Sequence, residues 1–91
     1  MLENNETIVK NKVLVNIMGQ EYVIMGDDSP DYIESLALMV SRRMKNIAKR
    51  NPYMSQTKIA VLVALNMTDE LKKATKAYEN LVKEIEDEKN G

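Results

Sequence analysis

Cysteine, histidine, tryptophan and phenylalanine are all missing from this 91-residue chain. Without cysteine there is no disulfide framework and no thiolate metal site. Without histidine or cysteine, the commonest general base and the strongest side-chain nucleophile are absent. Glycine is also scarce, with three residues, and none sits in a glycine-rich phosphate loop. The start of the chain lacks a basic segment followed by an apolar core, so no secretory leader is expected. The longest apolar run, Ile59 to Leu65, falls far short of the roughly 20 residues a membrane span needs. These features point to a cytoplasmic protein with no cofactor, no metal and no catalytic apparatus.

What the chain does have is aliphatic volume and unevenly placed charge. Seven methionines and many Ile, Leu and Val residues supply the core, and all four aromatics are Tyr. Net charge is only -1, yet residues 35–68 hold Arg42, Arg43, Lys45, Lys49, Arg50 and Lys58 with no acid among them. The acids gather before that segment and after it. A positive surface is therefore concealed within a neutral total.

Residues 1–11 are polar and read as a loose tail. Lys12–Met18 alternates β-branched and other residues, with Val13, Val15 and Ile17 on one side, and predicts a strand. Gly19-Gln20 marks a turn, and Glu21–Met25 predicts a second strand that completes a β-hairpin. Ser29-Pro30-Asp31 is a helix start. Ser29 can cap free backbone N–H groups, Pro30 suits the first helical position, and Asp31 complements the positive end of the dipole. Ile33, Leu36, Ala37, Val40, Met44, Ile47 and Ala48 follow as one apolar helical stripe. Arg50-Asn51-Pro52 ends it.

Ser55 caps a second helix, and neither Gly nor Pro interrupts the chain from there to Asn90. At about 1.5 Å per residue it reaches on the order of 50 Å. Ile59 to Leu65 is apolar all round, as in a helix enclosed on every side. From Ala64 the apolar positions narrow to a seam of Ala64, Met67, Leu71, Ala74, Tyr78, Leu81 and Ile85. Their alternating steps of three and four are the spacing of a coiled coil. The expected organisation is thus a tail (1–11), an α+β head of hairpin and helix (12–54), and a long helix (55–91). Residues 55–66 of that helix serve the head core and 67–88 form an intermolecular coiled-coil stalk. A lone hairpin is marginal, and so small a chain commonly gains stability by oligomerising. Ile59, Leu62 and Val63, with the seam residues, are therefore expected to form the oligomer interface.

Asp27, Asp28 and Asp31 form the only tight acidic cluster before the stalk. Their spacing matches no known cation loop, and a turn followed by a helix start explains them. On the first helix, Arg42, Lys45 and Lys49 share one stripe, with Arg43 and Arg50 beside it. This face can be a solvated helix surface, a dock for an acidic protein, or a nucleic-acid contact. The last fits least well: the stripe is short, pI is about 5.4, and Tyr32, Tyr53 and Tyr78 fall on different elements, giving no stacking platform.

Two segments carry a resemblance. The strand–turn–strand VNIMGQEYVIMGDDSPDYI (Val15–Ile33) and the helix start KIAVLVALNMTDEL (Lys58–Leu71) closely resemble the ZapA family of bacterial cell-division proteins. Ala64–Leu71 is the most telling part. The resemblance implies a hairpin-plus-helix head, a long coiled-coil helix, and homodimers able to associate into antiparallel tetramers. It implies binding to filaments of FtsZ, the tubulin-like division GTPase, which such proteins bundle and cross-link at the midcell division ring, with no catalytic activity. It also implies partner contacts near the hairpin turn and the junction between the helices. Here those regions hold Gln20, Glu21, Arg42, Arg43, Lys49, Arg50 and Lys58. The alternatives from the residues alone are a coiled-coil adaptor with another protein partner and a nucleic-acid-binding dimer.

Overall fold

The computed structural model describes residues 11–90; the expected tail at 1–10 lies outside them. The element order is β1 (Asn11–Ile17), β2 (Gln20–Gly26), α1 (Pro30–Arg50) and α2 (Gln56–Asn90). The fold is α+β, as expected, and α2 with 35 residues is by far the longest element. The chain divides into two compact units between Ile59 and Ala60.

In the first unit, β1 and β2 pair antiparallel from Asn11↔Gly26 to Ile17↔Gln20. The connection is the two-residue pair Met18-Gly19, both at positive φ (53° and 82°). That is the requirement of a type I′ turn, whose twist matches the twist of the flanking strands. The turn therefore sits one residue earlier than Gly19-Gln20, because Gln20 pairs with Ile17 as a strand residue. The Gly19 amide donates to Asn16 Oδ1 at 3.1 Å, which holds the bend. Asn11 likewise belongs to β1 rather than to the tail. It pairs with Gly26, and its side-chain amide donates to the Asp28 carbonyl at 2.7 Å.

Strand alternation sets the core. Val13 and Val15 are buried with Ile33 of α1, and Ile17, Ile24 and Ala37 pack against them. The opposite hairpin face, with the directly paired Leu14 and Val23, stays exposed. Helix α1 begins as its sequence dictates: Ser29 Oγ accepts from the Tyr32 amide at 3.3 Å, and Pro30 opens the first turn. It ends at Asn51, whose amide donates to the Ile47 and Ala48 carbonyls. Its buried stripe includes Ile33 and Met44, as the spacing requires, and also Ser41, which lies on the same face.

Helix α2 starts with Ser55 Oγ accepting from the Lys58 amide at 3.2 Å. Within the single chain one face of Ile59 to Leu65 is buried. Ile59 and Val63 keep 2 % and 3 % of their surface, whereas Val61, Leu62 and Leu65 are exposed. In the second unit the seam residues Leu71, Tyr78, Leu81 and Ile85 are all exposed, Leu71 at 66 %. An i,i+4 ion pair, Lys73 to Asp69 at 2.9 Å, decorates the solvent side.

Candidate functional site

Among the described residues no group of three or more acids or imidazole or thiol ligands could hold a metal ion. Asp27 and Asp28 lie in the bend between β2 and α1. Asp31 lies in the first turn of α1, and the Asp28 carbonyl ties down Asn11. No helix among the described residues is long and apolar enough to cross a membrane.

The charged surface is better organised. On α1 the buried stripe of Ile33 and Met44 fixes which face is left over. Opposite it lie Arg42, Lys45 and Lys49, all exposed, with Arg50 beside them at the last turn. Arg42 to Lys49 spans seven residues, about 10 Å along the axis. The segment has no acid to neutralise these cations in sequence, so their potentials add rather than cancel. Arg43 is half-buried on the flank of the stripe.

The remaining expected contact residues fall at one end of the first unit. Gln56, at the start of α2, donates its side-chain amide to the Met18 carbonyl at 3.2 Å. This bond ties the hairpin turn to the turn between the helices. It draws the strand start bearing Gln20 and Glu21 toward the segment that carries Lys58. Gln20 and Glu21 are exposed, and Gln20 Oε1 accepts from the Tyr22 hydroxyl at 2.9 Å. The turn between the helices opens a cleft of about 560 Å³ between Arg50 and Lys58, with Tyr53 fully exposed on its rim. The structure thus sorts the expected residues into two groups: Gln20, Glu21, Arg50 and Lys58 near the turns, and Arg42, Arg43 and Lys49 along α1.

Of the residues expected at an oligomer interface, Ile59 and Val63 are buried. Leu62, Ala64, Leu71, Ala74, Tyr78, Leu81 and Ile85 are exposed and Met67 is half-buried, so the rest of the seam is available. Sequence reasoning passed over Leu38 and Met39. They follow Ala37 directly and fall off the apolar stripe, and the structure exposes both. The signal was present: two large apolar residues outside the core arc of an amphipathic helix.

Comparison with known proteins agrees with this architecture. A cell-division protein ZapA of Halalkalibacterium halodurans is 42 % identical over 64 residues, 70 % of each chain. One from Shouchella clausii is 38 % identical over 79 residues, 87 % of this chain and 97 % of that one. A solved mutant ZapA dimer from Geobacillus stearothermophilus superposes with a TM-score of 0.69 at 31 % identity, covering 92 % of this chain and 96 % of that one. The family model described as cell division protein ZapA matches residues 13–90, and the chain belongs to that family.

Proposed function

We propose that the protein is a non-enzymatic division factor that binds FtsZ filaments, bundles and cross-links them, and supports the division ring at midcell in the cytoplasm. The observation that carries the reading is family membership over residues 13–90. The exposed cations of α1 supply a surface suited to an acidic filament. Self-association completes the mechanism. The relative from Geobacillus stearothermophilus was solved as a dimer, and an apolar seam left in water on α2 favours pairing here too. A dimer, or an antiparallel tetramer built from two, presents several copies of one weak surface. Each contact after the first is then effectively intramolecular, so bridging between filaments gains by avidity without new contacts.

Co-sedimentation with polymerised FtsZ tests this reading. The protein is expected in the pellet with bundled filaments. Bundling is expected to weaken as salt rises, because the screening length falls from about 10 Å at 0.1 M to about 3 Å at 1 M. Absence from the pellet at low salt sinks the reading. Bundling indifferent to salt removes the cationic face as the dock.

A further inference from the structure

The outer face of α1 is not simply basic. Two parallel rows run along it with the steps of neighbouring helix positions. One row is Leu38, Arg42, Lys45 and Lys49; the other is Met39, Arg43, Asn46 and Arg50. Each begins with a large apolar side chain and continues into cations or an amide. Leu38 and Met39 keep 52 % and 47 % of their surface exposed. Between them and Arg42 runs a shallow groove of about 330 Å³, floored in part by Ser35 and Asn46. Single exposed apolar residues are ordinary. Two side by side at the head of a cationic stripe form a graded surface, apolar at one end and positive over the next two turns or so. From Leu38 to Arg50 it measures about 18 Å.

We propose that this face is a docking surface for an acidic amphipathic segment of the filament partner. The apolar anchor of that segment seats on Leu38 and Met39, and its carboxylates lie along Arg42, Lys45 and Lys49. The inference rests on the filament-binding reading above and adds the partner's chemistry and polarity. Charge complementarity selects the occupant: Glu34 borders Leu38 at the apolar end, but residues 35–68 contribute no carboxylate, so along Arg42, Lys45 and Lys49 only an acidic segment gains. The two ends do different work. Exposed cations raise the encounter rate and set its salt dependence. A desolvated apolar anchor slows departure, and such anchors carry a large share of the affinity at protein interfaces. The groove's lining residues, from Ser35 to Asn46, succeed one another along α1, and the proposed segment lies along them.

The test compares three proteins in co-sedimentation with polymerised FtsZ over a salt series: wild type, Leu38→Ser/Met39→Ser, and Arg42→Glu/Lys45→Glu. The apolar variant is expected to bind roughly tenfold or more weakly while keeping the wild-type salt slope. The charge variant is expected to lose both affinity and salt slope. A Leu38→Met/Met39→Leu variant, equally apolar, should restore binding. Circular dichroism melting and molar mass by light scattering, run on each, are expected to match wild type. Wild type and the serine variant pelleting alike overturns the anchor while leaving the division reading intact. A serine variant with lowered mass overturns the proposal in favour of a second copy of this chain as the occupant. A serine variant that melts early, with no rescue by the Met/Leu exchange, overturns it in favour of a packing role. Wild type absent from the pellet removes the division reading and this surface together.

Discussion

Leu71→Glu is the sharpest probe of the seam. Leu71 keeps 66 % of its surface in the single chain, so the substitution removes almost nothing from the fold of one copy. Its effect falls on association. Burying a leucine fully is worth about 1.5–3 kcal/mol, and about two-thirds of that remains to be gained when a second helix covers the site. A symmetric pair contributes two such residues, which gives roughly 2–4 kcal/mol lost. Placing two carboxylates in an apolar seam costs more on top. The dissociation constant should therefore rise by roughly 30- to 1000-fold. Sedimentation equilibrium across a dilution series reads this directly, with mass falling toward monomer at concentrations where wild type stays paired. Lys76→Glu serves as the control. It lies five residues on from Leu71, on the helix face opposite the seam, and should leave the mass unchanged. Unaltered association of Leu71→Glu, or equal loss in the control, would refute the seam as the pairing surface.

Ile33→Ala should be the most damaging single change to the first unit. The side chain is 2 % exposed between Val13, Val15 and Ala37, and such truncations cost about 2–5 kcal/mol. Melting at fixed protein concentration should fall by roughly 10 °C or more; a drop of only a degree or two would show that the site collapses around the gap. Met18→Asn should go the other way. Met18 sits at φ 53° beside Gly19, a conformation that Asn adopts more readily than Met, and Asn-Gly is the preferred pair for this turn. A gain of about 0.5–1 kcal/mol is expected in chemical unfolding. A loss would mean that the Met18 side chain, rather than the turn geometry, matters there. The bond from Gln56 to the Met18 carbonyl uses backbone and should survive this exchange.

The elements were legible because each carries a local signal. Ser29-Pro30-Asp31 announces α1 through an orphan-donor cap, a preset φ and a dipole charge, and Ser55 announces α2 through a cap alone. Alternation in β1 put Val13, Val15 and Ile17 on one side, and the structure turns that side to the core. The turn was misplaced by one residue because Gly19 alone suggests that a flexible pair begins there. Only the pairing of Ile17 with Gln20 shows that Met18 takes the other positive φ. The cationic stripe was visible as spacing, but its apolar end at Leu38 and Met39 was not. Both fall outside the apolar stripe of α1 and were passed over, and the structure leaves them exposed.

By itself, the amino-acid order determined what this chain excludes and what it repeats. No imidazole, thiol or phosphate loop is available for chemistry, a hairpin and two helices follow from period and caps, and a seam of threes and fours runs along α2. Those properties are local or periodic, so they survive in one dimension. Tertiary structure alone decided which apolar residues are buried inside one copy and which keep their surface. Ile59 and Val63 are buried within the chain, while Leu38, Met39 and Leu71 keep their surface. Burial depends on what packs opposite a side chain, and that is set by contacts between elements far apart in sequence.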